Sequence, residues 1–122
     1  MCQRLFPRHA QSFLFELLTD SIDTDRFILE SSQGKIRIKG NNRNSLAAGL
    51  NHYLKNYCHT HVSWYASETV EMPDVLPEIP QPVYIRSKCD NRFFLNYCTF
   101  GYTMPYWKWQ DWERLIDWMA LN

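Results

Sequence analysis

Four of the six prolines in this 122-residue chain stand close together, between Met72 and Pro82. Proline fixes φ and lacks a backbone donor, so this stretch cannot form the interior of a helix or a central strand. The prolines are interspersed with acidic residues, a pattern typical of a stiff, extended connector. We therefore predict an amino-terminal domain over 1–71, a linker over 72–82 and a second region over 83–122.

The first region carries the patterns of a small sheet. Apolar, β-prone runs at 13–16 and 26–30 predict two strands with a polar turn between them. After a break at Ser32-Gln33-Gly34, charged residues alternate with isoleucine over 35–39, as expected for a half-buried strand. The second and third of these strands are predicted to form a hairpin.

A helix is predicted after the hairpin. Asn44 or Ser45 can cap its amino terminus, and apolar residues then recur every three or four positions as far as Cys58. The small residues at 47–49 would let this helix lie close to the three-stranded sheet, which makes an α/β layer pair. A further edge strand is a candidate at 61–65.

The second region resembles half of a parallel unit. Val83–Arg86 and Arg92–Phe100 are expected to be extended, and the latter is apolar on both faces, as in a parallel strand covered by helices. An amphipathic helix is predicted over 109–119. A strand followed by a helix is half of a βαβ unit, so its parallel partner is expected after Asn122 and the sequence is expected to be truncated.

Charge and hydropathy exclude two classes of partner. Lys+Arg and Asp+Glu both number 13, so the net charge is zero, and no run of like charges offers a surface for nucleic acid. The apolar runs are far shorter than the roughly 18 residues of a membrane span, and the first residues lack the apolar region of a signal peptide.

Cysteine and histidine chemistry has little support. Cys58, His59 and His61 are too few, and too poorly spaced, for a four-ligand zinc site. Cys98 could pair with a histidine as a nucleophile, but a cysteine on an apolar strand is more often a packing residue. The carboxylates best placed for acid/base chemistry are Asp111, Glu113 and Asp117. Helical spacing favours a different interpretation, in which they form the solvated first turn and an exposed face of a helix.

The stretch Asn96–Trp107 differs, because it combines an amide, hydroxyls and several aromatic rings after a predicted parallel strand. Folds of the α/β classes build ligand sites at the carboxyl ends of their strands. Amide groups can bind sugar hydroxyls and aromatic faces can pack on pyranose rings, so this composition suits a carbohydrate site. The same aromatic residues could equally belong to the core of a barrel.

Most of the chain resembles the alpha-N-acetylglucosaminidase family. The most specific match is Arg92–Met104, followed by 112–114 and 116–122, which look like the opening of that family's catalytic domain. Shorter matches to its amino-terminal domain precede it in the same order: 40–42, 47–51, 53–55, 57–59 and 62–64.

This resemblance implies a small amino-terminal α/β domain packed on a much larger (β/α) barrel, followed by a helical domain. The expected fold class is therefore α/β (α+β): a small sheet with one packed helix, then the first strand and helix of a truncated (β/α) barrel. Family members are retaining exo-glycosidases that remove terminal non-reducing alpha-linked N-acetylglucosamine from glycans. They are lysosomal in animals and act on host or environmental glycans in bacteria, where a secreted or periplasmic location is expected, and no metal or organic cofactor is implied.

The resemblance also indicates site residues. Retention needs two carboxyl groups, which in the family are glutamates downstream of the matched segment, so this chain alone is expected to be inactive. The first barrel strand of the family contributes to the sugar pocket, which makes Asn96, Cys98 and Tyr102 candidate substrate contacts. Asn96 would bind sugar hydroxyls, Cys98 would line the wall, and Tyr102 would contact the ring or a hydroxyl.

An alternative function is a non-catalytic module that binds carbohydrate or protein. Trp107, Trp109 and Trp112 would then provide the contact surface. The sequence leaves the oligomeric state open.

Overall fold

The computed structural model describes residues 1–19, 22–63, 70–89, 91–94 and 97–122. The helices are α1 (Cys2–Leu5), α2 (Arg43–Asn56), α3 (Tyr97–Tyr102) and α4 (Trp109–Leu121), the strands are β1 (Phe13–Leu17), β2 (Arg26–Ser32), β3 (Lys35–Gly40) and β4 (Val83–Arg86), and 3-10 helices span Pro7–Ser12 and Met104–Tyr106. None of the helices in these ranges is long and apolar enough to cross a membrane.

The strands form one sheet in the order β1-β3-β2-β4. The predicted hairpin is confirmed, since β2 and β3 are antiparallel with Leu29 opposite Ile38. β1 pairs with β3 in parallel rather than with β2, and Leu17 at the end of β1 and Phe27 near the start of β2 both lie opposite Gly40 of β3. Residues 61–63 form no strand, and the rest of the predicted edge strand lies outside the described residues.

β4 extends the sheet beyond the proline-rich segment. It pairs antiparallel with β2, placing Tyr84 opposite Ile28. The sheet therefore has four strands rather than three. The reason is that β2 has a free edge on the side away from β3, and the chain returns to satisfy its backbone groups.

The proline-rich segment before β4 is hydrogen-bonded to residues of α2 and β2. The hydroxyl of Tyr53 donates to the carbonyl of Pro77 over 2.7 Å. The backbone N–H of Ile79 donates to the hydroxyl of Ser31 over 2.8 Å, and the Ile79 side chain is buried. These contacts hold the proline-rich segment against the core, and the chain then continues to the edge of β2.

Helix α2 covers one face of the sheet, as predicted, but it starts and ends about two residues earlier. The amino-terminal cap is Asn42, whose side-chain oxygen accepts the backbone N–H of Ser45, rather than Asn44 or Ser45. Asn42 has the extended backbone that a cap requires, directly after β3. Tyr53 and Leu54 of this helix are completely buried.

The close approach of α2 to the sheet depends on Gly49. A Cβ built on Gly49 would lie 2.7 Å from Cγ2 of Ile38 and 3.2 Å from the ring of Phe27. Carbon atoms cannot approach this closely without displacement, so only glycine fits between helix and sheet here. The predicted role of the small residues at 47–49 is confirmed at Gly49.

The predicted strand Arg92–Phe100 is wrong where the structure describes it. Residues 91–94 have no regular structure and 97–102 form the short helix α3, while 95 and 96 lie outside the described residues. A parallel strand needs a neighbouring strand for its backbone hydrogen bonds, and no described strand adjoins this segment. From residue 97 onward, a helix satisfies those groups locally. The predicted helix is confirmed as α4.

The face of the sheet opposite α2 carries a charged cluster. The Glu30 carboxylate lies 2.9 Å from Nζ of Lys39 and 3.3 Å from the guanidinium of Arg37. The hydrogen bond from Lys39 is the main reason that the pKa of Glu30 is lowered, helped by both positive charges. These cross-strand pairs help hold the register of β2 against β3.

Replacement Gly49→Ala is expected to lower the free energy of unfolding by up to about 2 kcal/mol. The clash with Ile38 and Phe27 costs about 1–3 kcal/mol, against a helix-propensity gain of about 1 kcal/mol. Urea denaturation measures the change. The control is Gly101→Ala in α3, where an added Cβ meets nothing within 4 Å, and it should change stability by less than about 1 kcal/mol. Equal effects of the two substitutions would contradict the close packing at Gly49.

The pKa of Glu30 makes a second prediction. Because its pKa is lower in the folded state, Glu30 contributes stability that is present above the unfolded value of about 4.5 and is lost as pH falls below it. Glu30→Gln should remove this contribution, which for a surface pair is below about 1 kcal/mol. Denaturation at a series of pH values should show a flatter acid limb for Glu30→Gln and for Lys39→Gln. Acid limbs parallel to that of the parent chain would contradict it.

Candidate functional site

The candidate substrate contacts fall on and before α3. Cys98 and Tyr102 are four residues apart in this helix, so they share one face. Both side chains are exposed, Tyr102 by 82 %. Asn96 lies outside the described residues, so the structure brings together two of the three predicted contacts.

Neither of two sizeable cavities next to α4 includes these contacts. One, of about 680 Å³, is lined by Phe93, Phe94 and Trp118 among others. The second, of about 520 Å³, lies between α1 and α4. Cys98 and Tyr102 therefore stand on an open surface rather than in an enclosed sugar pocket.

The aromatic residues after α3 divide into a packed set and an exposed set. Trp107 and Trp112 contact each other edge to face, with ring centroids 5.1 Å apart. Tyr102, Tyr106 and Trp109 expose most of their area, and we refer to them as the exposed aromatic surface. Of the three tryptophans proposed as a contact surface, only Trp109 is largely exposed. The tight loop between α3 and α4 turns the other two towards each other.

Helix α4 is attached to the amino terminus by an arginine. Nε and Nη2 of Arg4 in α1 lie 2.8–2.9 Å from the two carboxylate oxygens of Asp117, a bidentate arrangement. Nη1 of Arg4 also lies 3.1 Å from Glu113, one turn earlier in α4. Asp117 is 7 % exposed and ranks among the few buried charged residues of the described chain. One guanidinium thus pairs with two acids from the other end of the sequence.

The prediction that Glu113 and Asp117 form an exposed, solvated face is therefore wrong. They do share a face, but that face is directed at α1. A sequence signal for this existed, because Asp117 is four residues before Leu121, which is buried in the core. A carboxylate on the same helix face as a core leucine requires a cation nearby. Sequence spacing alone could not show that this cation is Arg4, which is 113 residues away. Asp111 does act at the helix start, accepting the backbone N–H of Lys108 over 2.9 Å.

The described cysteine and histidine residues in and directly after α2 form no reactive cluster. Burial raises the pKa of the Cys58 thiol, which disfavours the thiolate that a metal or a nucleophilic reaction requires. Burial also disfavours the charged form of His52 and so lowers its pKa. The centroid of the His52 ring lies 5.6 Å from that of the Phe27 ring. Across the described ranges, no three His, Cys, Asp or Glu side chains are grouped so that they could hold a metal ion.

Comparison with known proteins assigns both halves of the chain to one family. Residues 1–78 match the family model for the alpha-N-acetylglucosaminidase N-terminal domain, and residues 92–122 match the model for its tim-barrel domain. The chain belongs to the alpha-N-acetylglucosaminidase family. The two matches occur in the order that the sequence resemblance implied, with β4 between them.

Curated and solved relatives agree with this assignment. Human alpha-N-acetylglucosaminidase is 39 % identical over 88 residues, which is 72 % of this chain and 12 % of that protein. A family 89 glycoside hydrolase from Clostridium perfringens superimposes with a TM-score of 0.89 at 36 % identity, over 99 % of this chain and 14 % of its own. It was solved with PUGNAc and, as a variant with two glutamates replaced by glutamine, with its substrate GlcNAc-alpha-1,4-galactose. The chain thus spans about one seventh or less of these alpha-N-acetylglucosaminidase relatives.

Replacement Arg4→Ala is expected to lower the free energy of unfolding by about 2–3 kcal/mol. It leaves Asp117 buried without its cation, a cost reduced from that of a fully buried pair because Arg4 is about half exposed. The control is Arg8→Ala, whose pair with Asp74 is 4.0 Å long and exposed on both sides, and it should cost less than about 1 kcal/mol. Urea denaturation of both variants measures the difference. Equal losses would show that the Arg4 contacts do not stabilise the docking of α4.

Proposed function

We propose that this chain is the amino-terminal portion of a retaining exo-glycosidase that hydrolyses terminal non-reducing alpha-linked N-acetylglucosamine. The observation that carries the proposal is the consecutive match to the N-terminal and tim-barrel domains of one family. A solved relative bound to GlcNAc-alpha-1,4-galactose supports the substrate class. The partner of the chain is thus a glycan that ends in alpha-N-acetylglucosamine.

In this proposal the chain supplies a scaffold and part of the substrate pocket, but not the reacting carboxyl groups. Retaining hydrolysis requires a nucleophile and an acid/base about 5–5.5 Å apart. Within these residues, Glu30 is occupied by Lys39 and Arg37, and Glu113 is paired with Arg4. Two glutamates are the residues replaced in the substrate complex of the Clostridium relative. We place the corresponding pair outside the segment that this chain matches.

The scaffold role follows from how α4 is held. Asp117 and Leu121 anchor this helix to the amino-terminal domain by an ion pair and by burial in its core. In a (β/α) barrel, helices form the outer ring and strands carry the site at their carboxyl ends. Anchoring the first helix from outside would therefore orient the barrel without blocking its pocket.

Asn96, Cys98 and Tyr102 are the proposed substrate contacts. The exposure of Cys98 and Tyr102 on one face of α3 leaves them available to line a pocket closed by further barrel elements. An amide that bonds sugar hydroxyls and an aromatic ring against the pyranose fit the polar edge and apolar face of a sugar. Cys98 would form part of the wall.

A non-catalytic binding module is the second candidate, and the exposed aromatic surface favours it. Tyr106 is 83 % exposed and Trp109 is 65 % exposed. Exposed aromatic side chains that lie close together are typical of surfaces that bind sugar or protein. Saturable quenching of tryptophan fluorescence by N-acetylglucosamine would support this candidate, and an unchanged signal would favour the scaffold role.

A chimera tests the proposed function. The homologous amino-terminal portion of the Clostridium enzyme is replaced by residues 1–122, and hydrolysis of GlcNAc-alpha-1,4-galactose is measured. We expect the chimera to be active and the 122-residue chain alone to give no turnover. A folded but inactive chimera, or turnover by the chain alone, would contradict the proposal.

Within the chimera, Asn96→Ala should lower kcat/KM by about tenfold to a hundredfold, through loss of hydrogen bonds to sugar hydroxyls. The matched control is Asn91→Ala, the same change five residues earlier, and it should leave kcat/KM unchanged. Equal effects of the two substitutions would remove Asn96 from the site without affecting the family assignment.

A further inference from the structure

The outer edge of β1 is unprotected. β1 ends the strand order β1-β3-β2-β4, and no other described strand adjoins it on that side. Its large apolar side chains are partly exposed, with Leu14 at 37 %, Phe15 at 45 % and Leu17 at 54 %. An exposed apolar strand edge without lysine, proline or a bulge is a template for pairing with another strand.

The opposite edge of the sheet is protected in the usual ways. β4 has only four residues, Pro80 and Pro82 precede it, and Arg86 ends it. The Arg86 guanidinium also donates to the hydroxyl of Thr24 over 2.8 Å. The two edges therefore differ, and only that of β1 favours association.

The backbone of β1 has its hydrogen-bonding groups placed for such pairing. The N–H of Leu18 donates to the carbonyl of Gly40 in β3 over 2.9 Å. Because the direction of backbone groups alternates along a strand, Phe13, Phe15 and Leu17 direct their N–H and C=O groups away from β3. These are the groups that an added strand would bind.

β1 can pair with a second copy of itself in one orientation without placing like charges side by side. If two copies pair antiparallel about Phe15, each Phe15 faces its equivalent and Leu14 faces Glu16 of the second copy. A parallel pair in register would instead place the two Glu16 carboxylates side by side, which is unfavourable. Antiparallel pairing also brings Phe13, Phe15 and Leu17 of both copies together on the face that α2 covers, where Phe13 and Phe15 already stack at 6.4 Å.

We propose that this chain forms a symmetric dimer through antiparallel pairing of β1 with β1 of a second copy, which joins the two sheets into one. About six backbone hydrogen bonds would form across the two-fold axis. The interface uses the same strand in both copies and consumes both open edges, so the assembly closes at two chains. Its small area predicts a weak, concentration-dependent dimer.

Sedimentation velocity of the purified chain from about 10 μM to about 1 mM tests the proposal. We expect a monomer–dimer equilibrium that Phe15→Lys weakens by about tenfold to a hundredfold. Leu17→Lys is a second variant on the same edge, and circular dichroism establishes that each variant is folded. The matched control is Tyr84→Lys, which places the same charge at an exposed aromatic residue of β4 and should leave the dimer unchanged.

Hydrogen exchange supplies an independent readout of the strand pairing. The amides of Phe13, Phe15 and Leu17 should gain protection as the concentration rises, since they are the donors in the proposed ladder. A chain that stays monomeric throughout the range would overturn the proposal. So would a dimer that Tyr84→Lys disrupts and Phe15→Lys does not, unchanged exchange at Phe15 in a dimer, or growth into open-ended polymers.

Discussion

An arginine near the amino terminus holds helix α4 against the amino-terminal domain. Asp117 of α4 is buried, and a buried carboxylate is tolerated only when a cation and hydrogen bonds compensate for its lost hydration. Arg4 provides both through a bidentate contact and also forms an ion pair with Glu113. Since Leu121 lies in the core one turn further on, the ion pair and the apolar contact together fix the position of α4.

The amino-terminal domain is built around the contact between α2 and the β2–β3 hairpin. Gly49 lets the helix backbone approach Ile38 closely, and the buried residues Tyr53 and Leu54 then complete the core from the helix side. The proline-rich segment becomes part of this domain because Tyr53 and Ser31 bind its backbone. The prolines make this segment stiff and extended, and it lies along the domain and leads into β4.

The acidic and the aromatic residues of the described chain differ in their surroundings. Glu30 and Glu113 are engaged in ion pairs with cationic side chains. Tyr102, Tyr106 and Trp109, in contrast, are largely exposed.

The sequence by itself determined the elements whose pattern is local. The β2–β3 hairpin, α2 and α4 follow from alternation or helical spacing, and the run Arg92–Met104 carries the family. Tertiary structure decided whatever depends on distant partners. The parallel pairing of β1, the recruitment of β4 and the ion pair between Arg4 and Asp117 join positions far apart in the chain, and local periodicity holds no information about them. Segment 97–102 was decided in the same way, because a strand exists only where a neighbouring strand accepts its hydrogen bonds.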